Sequence, residues 1–289
     1  MRVYFAGFET CFSYGFKPLP KLNYFATYYY KNNTNKVLKS HGKDIQEGLI
    51  VVDSGAHSFF SFIGLSVSAD NRLSTTEMPD PDLYFENYLN WIKEYYNYFD
   101  YFVELDIQDI VGMDKVRQWR KRLIDANVFD KCILVHHSCN SWQDYEEILS
   151  IAQSKYIALE GLRNGKINLP YLKCIKAAYD KKIRVHGFAL TAPKVCLNYP
   201  FYSVDSTTWT AVNRYGRVQL FIDGKIKAIE TSKENYIKYR LPTCFANFNK
   251  TKEHQHAKLA FEVEQFLKYQ DYLTKYWIGK GINWEEQLK

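Results

Sequence analysis

Short apolar runs that end in a carboxylate or a histidine recur along most of this chain. In the clearest of them, Leu49–Asp53, four β-favouring residues precede an aspartate, and Ser54-Gly55 follows. Continuous Val, Ile and Leu is typical of a strand covered on both faces. A glycine beyond the strand lets the backbone turn and approach a ligand closely. Runs of this kind predict strands at Val3–Gly7, Leu49–Asp53, Tyr101–Asp106, Cys132–His136, Tyr156–Glu160, Arg184–Phe188 and Tyr202–Asp205.

Helical patterns lie between these strands. Helices are predicted at Asp82–Tyr98, Asp114–Ala126, Ser141–Gln153 and Leu169–Lys181. Strands that alternate with helices indicate an α/β protein with a parallel sheet, either open or closed. The number of strands favours a (β/α)8 barrel, and the first strand lacks the G-x-G-x-x-G turn of a dinucleotide-binding sheet.

The pattern changes after Trp209. Asp223-Gly224 between two apolar-rich segments predicts a small β-hairpin over Val218–Ile229. A last strand is expected around Thr243–Phe248, and a long final helix over Thr251–Tyr276. With no linker or repeat in view, we expect one barrel domain over residues 1–289.

Composition narrows the class of protein. Apolar residues make up 46% of the chain, which indicates a globular protein and not a disordered one. No apolar run approaches the roughly 20 residues of a membrane span. The start lacks the features of a signal peptide, and the six cysteines form no C-x-x-C pair. We therefore expect a soluble cytoplasmic protein without a membrane partner, whose net charge of +6 permits a polyanionic partner.

Four acids stand at predicted strand ends: Asp53, Asp106, Glu160 and Asp205. A barrel would bring them to its carboxyl-end rim, where carboxylates that share a pocket can take different protonation states. Any one of these acids taken alone is more often a salt-bridged or helix-capping residue, whereas four acids at equivalent strand ends favour a shared pocket. Histidines end two further strands, and a pocket role competes with a buried, hydrogen-bonded role for His136, His137 and His186.

Several of these segments resemble motifs of the tRNA-guanine transglycosylase family. Asp53-Ser54-Gly55-Ala56, followed by Ser58-Phe59, is similar to its Asp-Ser-Gly-Gly-Phe motif. Val204–Thr208, with Asn213–Gly216 and Phe221 after it, resembles the segment that carries its nucleophile. The remaining similarities are Leu105-Asp106, Glu160-Gly161 and Gly187–Leu190. The motifs follow the family order over residues 48–221.

The resemblance implies a base-exchange reaction. Asp205 would be the nucleophile, Asp53 the general acid and base, and Asp106 the residue that reads the purine edge. The pocket would be completed by Ser54, Gly55, Glu160, Gly161, Gly187, Phe188 and His136. Apart from the resemblance, nucleic-acid contacts are expected at Trp209, Arg214 and Arg217, with a solvated turn as the equal alternative for the two arginines.

The chain also departs from the family pattern. It lacks the Cys-x-Cys-x-x-Cys zinc cluster, and His57 replaces a usual aromatic or glycine neighbour. We expect no cofactor, with structural zinc at Cys244, His254 and His256 as the metal site that the sequence allows. The pattern is closer to the compact phage and bacterial branch, which inserts 7-deazaguanine bases into DNA. The implied partners are DNA and a free base such as preQ0.

Alternatives stay open at this stage. The same chemistry on tRNA would use the same acids, and so would an unrelated barrel hydrolase or lyase. A non-catalytic base-binding module would tolerate loss of Asp205. The basic residues of the helix Asp114–Ala126 suit either a nucleic-acid backbone or a solvated surface.

Overall fold

Eight strands form a closed barrel in a computed structural model of the chain. The structure describes residues 1–13, 22–40, 48–56, 79–163, 165–211, 215–245 and 251–289. Neighbouring strands follow one another in chain order, with the last pairing parallel to the first. The expected (β/α)8 class, with a hairpin and a long final helix, is confirmed. The barrel strands are β1 (Arg2–Ala6), β2 (Asn23–Thr27), β3 (Ile50–Asp53), β4 (Tyr101–Val103), β5 (Cys132–His136), β6 (Tyr156–Leu159), β7 (Arg184–Gly187) and β8 (Ser203–Ser206).

The eighth barrel strand is not where the sequence predicted it. β2 pairs in parallel with β3, with Thr27 opposite Asp53. The strand expected around Thr243–Phe248 was wrong, because Thr243–Phe245 forms a 3-10 turn and residues 246–248 lie outside the described part. Only pairing and burial identify β2, whose residues are mostly buried although the segment is short and mixed in composition.

The chain divides into two compact units. One comprises residues Leu19–Ala158 and contains β2–β5; the other comprises Met1–Pro18 and Leu159–Lys289 and contains β1, β7 and β8. We call them the central unit and the terminal unit. The expectation of a single domain over residues 1–289 stays a prediction.

Helices follow most of the strands. Asp80 caps the first long helix of the central unit by accepting hydrogen bonds from the N–H groups of Asp82 and Leu83, and Pro81 occupies its first position. No helix among the described ranges is long and apolar enough to cross a membrane. The α-helices span Phe8–Ser13, Lys31–Ser40, Pro81–Tyr95, Gln108–Val111, Met113–Asp125, Trp142–Ile151, Tyr171–Asp180, Pro193–Cys196, Lys233–Lys238, Lys252–Gly279 and Trp284–Gln287.

A buried ion pair ties a helix of the central unit to the end of β4. The Arg120 guanidinium donates two hydrogen bonds of 2.7 Å to Glu104, which also accepts one from the Val135 N–H. Burial disfavours the charged form of Arg120, but the attraction of Glu104 outweighs it and raises the Arg120 pKa. The two-pronged geometry satisfies both charges in a place that water does not reach.

A two-stranded antiparallel sheet, β9 (Arg217–Ile222) and β10 (Lys225–Glu230), forms the predicted hairpin of the terminal unit. The Gln219 N–H donates to the Glu262 carboxyl at 2.9 and 3.1 Å, and the Phe221 N–H donates to Gln265 Oε1 at 3.2 Å. Side chains of the long final helix thus cover one edge of β9. Burial raises the pKa of the Glu262 carboxyl to about 9, against the opposing effect of the Gln219 hydrogen bond.

Candidate functional site

Asp205 lies within β8 and is held through one of its two oxygens. Oδ1 accepts a hydrogen bond from the Ala189 N–H at 2.7 Å and lies 3.1 Å from His186 Nε2. No described residue donates a hydrogen bond to Oδ2. The residue is 7% exposed. The carboxylate is therefore fixed in orientation while one oxygen is left for a reacting partner.

A second hydrogen bond extends this arrangement inward. His186 Nδ1 lies 2.7 Å from Ser203 Oγ. An ionised carboxylate only accepts, so the contact with Asp205 calls for a ring proton on Nε2; in a ring with one proton, Nδ1 then accepts from the Ser203 hydroxyl. Ser203 is 0% exposed, so it cannot meet a substrate as a nucleophile. The accessible end of this Ser-His-Asp chain is the aspartate.

The neighbouring strand ends of the terminal unit pack tightly around backbone. A Cβ on Gly161 would collide with the Phe188 carbonyl oxygen, and one on Gly187 would lie 2.8 Å from Leu190 Cδ1. Phe188 packs edge-on against His186, with ring centroids 5.2 Å apart. Gly161 is therefore required by the close approach of backbone, whereas a larger residue at Gly187 would require the Leu190 and Phe201 side chains to shift.

Glu160, predicted to line the pocket, follows β6 and is nearly buried. The Arg163 Nε–H donates to its Oε1 at 2.6 Å, and the Tyr171 hydroxyl donates to its backbone carbonyl at 2.7 Å. The side chain is thus committed to a salt bridge within its own turn, as an isolated strand-end acid often is.

In the central unit, Asp53 ends β3. Its Oδ2 accepts hydrogen bonds from the Gly55 N–H at 3.0 Å and from the Thr27 hydroxyl at 3.3 Å. Gly55 has a φ of +84°, and a Cβ there would lie 2.7 Å from the Tyr84 hydroxyl oxygen. The turn after Asp53 therefore needs glycine on two counts. Half-buried Asp53 remains open enough to exchange a proton with a ligand.

Ser54, predicted to bind substrate, is 0% exposed. Its Oγ accepts a hydrogen bond from the Ala56 N–H at 3.3 Å, and its carbonyl accepts one from the Tyr84 hydroxyl at 2.8 Å. This side chain shapes the turn, and its burial leaves no surface for a substrate phosphate or sugar.

Asp106 follows β4 and pairs with a histidine. His137 Nε2 lies 2.8 Å from Asp106 Oδ2, and both side chains are buried. Burial raises the pKa of Asp106, while the contact with His137 acts against that rise. The contact with His137 therefore offsets part of the rise that burial causes, and the net pKa of Asp106 stays above its ordinary value.

The two adjacent histidines at the end of β5 take different positions, His136 as its last residue and His137 just after it. His136 is 3% exposed, and its ring centroid lies 4.8 Å from that of Tyr145 on the helix Trp142–Ile151. Sequence reasoning named His136 for the pocket, but the contact with the strand-end acid belongs to His137. Neighbouring strand residues point to opposite sides, so only one of the two can face the acid.

The residues of the terminal unit that were predicted to contact nucleic acid differ in their exposure. Trp209 is 1% exposed, its Nε1–H donates to the Ala6 carbonyl at 2.9 Å, and its ring packs on Phe5 and Phe8. It belongs to the core, which favours a structural role for the indole, and the predicted nucleic-acid contact stays a prediction. Arg217 is exposed at the start of β9. Arg214 and His57 lie outside the described residues.

The basic helix Met113–Asp125 is neutralised by acids. Arg117 pairs with Asp114, Asp144 and Glu147; Arg122 pairs with Glu86; Lys115 pairs with Asp82. Arg120 is buried against Glu104. This pairing favours an ordinary charged surface over a nucleic-acid track.

The zinc candidates do not gather. Cys244 is buried in an apolar cluster with Val218, Leu220, Leu241 and Phe245. His254 Nδ1 lies 2.6 Å from the Thr251 hydroxyl at the start of the final helix. Within the described ranges, no group of three or more His, Cys, Asp or Glu residues could hold a metal ion.

Four contacts around the strand-end acids were missed from the sequence. They are the contacts of Ser203 with His186, of the Ala189 N–H with Asp205, of Thr27 with Asp53 and of His137 with Asp106. Thr27 and Ser203 lie in apolar surroundings with no motif that marks them. Ala189 has a φ of +52°, which sequence does not reveal for an alanine.

Neither a protein-family model nor a curated protein sequence matches the chain. Among solved structures, tryptophan synthase from M. tuberculosis is 7% identical, with a TM-score of 0.39 over 73% of this chain and 84% of its own. A mandelate racemase/muconate lactonizing protein from Herpetosiphon aurantiacus is 11% identical, with a TM-score of 0.40 over 79% of this chain and 61% of its own. These likenesses are too distant to bear on function, and the barrel assignment rests on strand order.

Proposed function

We propose that the protein exchanges guanine in DNA for a 7-deazaguanine base through a covalent aspartyl-sugar intermediate. The observation that carries the proposal is Asp205, a carboxylate of β8 whose Oδ1 is fixed and whose Oδ2 accepts no hydrogen bond from the residues that the structure describes. A carboxylate nucleophile needs this freedom on the attacking oxygen and this restraint on the other. The choice of base and polymer comes from the resemblance to the tRNA-guanine transglycosylase family.

The exchange takes two displacements at C1′. Asp205 Oδ2 forms a bond to C1′ as the C1′–N9 bond breaks, and the electron pair leaves with guanine, which takes a proton. The incoming 7-deazaguanine then loses its N9 proton, and N9 attacks C1′ to release the Asp205 carboxylate. The sugar passes through oxocarbenium character in both steps, as in retaining glycosidases.

Asp53 is proposed to act as the general acid and base. Asp53 donates the proton to departing guanine and recovers one from the incoming base, so it ends the cycle as it began. Its Oδ2 is held by Gly55 and Thr27, which orients the carboxyl for this task.

Asp106 is proposed to read the Watson–Crick edge of the purine. An ionised carboxylate accepts from N1–H and from the exocyclic amine, two donors that guanine and 7-deazaguanines share. The contact with His137 at 2.8 Å favours the ionised form against the larger, opposing effect of burial. A target guanine has to leave its stack to reach such a residue, so base flipping or a single-stranded substrate is expected.

Mass spectrometry of nucleosides tests the proposal directly. DNA and tRNA are incubated separately with the protein and preQ0, digested, and searched for the deazaguanine nucleoside. We expect incorporation into DNA, and a covalent adduct on denaturing gels when DNA is supplied without an incoming base.

The matched variants are Asp205→Asn, which keeps the side-chain shape, and Asp223→Asn, which changes an exposed acid in the hairpin turn. Asp205→Asn should abolish both exchange and adduct, while Asp223→Asn leaves them unchanged. Exchange that survives Asp205→Asn would remove Asp205 as nucleophile. Incorporation into tRNA alone would reassign the polymer, and incorporation into neither would overturn the function.

A further inference from the structure

His186 is a buried polar residue whose side chain spans two other strand residues. It lies on β7, is 1% exposed, and places Nε2 against Asp205 and Nδ1 against Ser203. Its ring is packed edge-on by Tyr4 at 5.7 Å and by Phe188 at 5.2 Å between centroids. The imidazole can therefore neither rotate freely nor exchange its partners with water.

We propose that His186, oriented by Ser203, is a positioning residue for Asp205. By holding Oδ1, His186 leaves Oδ2 as the attacking oxygen, and it stabilises the Asp205 carboxylate when that carboxylate leaves C1′. This inference rests on the function proposed above and adds a residue pair to which that function gives no role. In a ring with one proton, a Ser203 hydroxyl that donates to Nδ1 keeps that proton on Nε2. That proton is the donor that Asp205 Oδ1 receives.

The chemistry explains why such a donor is useful. When Oδ2 bonds to C1′, Oδ1 becomes the carbonyl oxygen of an ester and loses most of its negative charge. When the incoming base attacks C1′, the ester oxygen leaves with its electron pair and charge returns to both oxygens. The N–H groups of His186 and Ala189 stand at the place where this charge develops.

Two variants test whether His186 acts as a hydrogen-bond donor or only packs against its neighbours. The amide nitrogen of His186→Gln stands about where Nε2 does along the side chain, whereas that of His186→Asn stands about where Nδ1 does. We expect His186→Gln to keep kcat within about 10-fold of wild type, because a donor to a charged group is retained. His186→Asn should lose about 10- to 100-fold in kcat.

The amount of covalent adduct during turnover also distinguishes a hydrogen-bond donor from a residue that only packs. Loss of the donor destabilises the free carboxylate more than the ester, so departure of Asp205 slows. In His186→Asn we expect the fraction of enzyme trapped as adduct during turnover to be at least that of wild type, although kcat falls. Equal loss in both variants, together with a lower melting temperature, would show that His186 only packs. Wild-type kcat in His186→Asn would also overturn the inference.

A measurement without turnover keeps this inference separable from the proposed function. Two-bond ¹H–¹⁵N spectra of the seven histidines, assigned with His186→Gln, report which ring nitrogen carries the proton. The inference requires a proton on Nε2 of His186, and a ring protonated on Nδ1 alone would refute it. Absence of base exchange in a wild-type protein with that Nε2 proton would instead count against the proposed reaction.

Discussion

The substitution Glu262→Gln should make the protein more stable and its stability less dependent on pH. Glu262 is 0% exposed in the long final helix, and the Gln219 N–H is its only hydrogen-bond partner among the described residues. Glutamine has the same shape, keeps an oxygen to accept that hydrogen bond, and never carries the charge that burial disfavours.

The size of the effect follows from the raised pKa. The Glu262 carboxyl has a pKa of about 9 in the folded protein, against 4.5 for the ordinary group. Between these values the folded state keeps a proton that the unfolded chain has lost. The contribution to stability is therefore complete below pH 4.5 and is lost as pH rises through 9. The slope is about 1.4 kcal/mol per pH unit, or roughly 4 kcal/mol from pH 5 to pH 8.

Urea unfolding of wild type and variant at pH 5, 6, 7 and 8 measures this slope. The difference in free energy of unfolding between the two proteins should widen with pH, with Glu262→Gln the more stable at pH 8. Glu264→Gln is the matched control, since Glu264 lies on the same helix in an exposed pair with Lys268 and should contribute about 0.5 kcal/mol or less. Parallel curves for wild type and Glu262→Gln would refute a buried, protonated carboxyl.

Three further substitutions test other parts of the structure. Glu104→Gln leaves the Arg120 charge buried without its partner and should cost about 3–5 kcal/mol in urea unfolding; a loss below 1 kcal/mol would mean that water reaches the pair. Gly161→Ala forces a Cβ against a backbone carbonyl and should cost about 1–3 kcal/mol or more in the same assay, whereas a neutral effect would contradict the close approach. Asp106→Asn replaces an acceptor with a donor on one side and should lower kcat/KM for guanine exchange at least about 100-fold with the fold retained; unchanged kcat/KM would remove Asp106 from base reading.

The barrel was predictable because its strongest strands carry their own signal. Ile50–Asp53 and Cys132–His136 are uninterrupted β-favouring runs, which a strand covered on both faces requires. Asn23–Thr27 is buried to a similar degree, but its polar ends and single alanine give no clear period. Its identity as a strand comes from pairing with β3, a contact that local sequence does not encode.

The candidate site was predictable in its acids but not in their partners. A carboxylate that ends a buried strand is conspicuous, as Asp53 and Asp205 were. The side chains that hold them come from neighbouring strands, and nothing local shows that His137 and not His136 turns toward Asp106. Trp209 shows the opposite case. An aromatic residue close in sequence to a proposed nucleophile suggests a surface for base stacking, but the structure buries this side chain.

The way the long final helix covers β9 bears on self-association. The Gln219 and Phe221 N–H groups donate hydrogen bonds to side chains of the helix. At those positions this edge of the hairpin therefore has no free donor that could pair with a strand from another molecule. The other strand, β10, carries Lys225 and Lys227, both exposed. Lysine on an edge strand opposes pairing with a second copy of the same charged strand. One edge of the hairpin is thus closed by hydrogen bonds and the other carries exposed lysines, and both features oppose the addition of a strand from a second molecule.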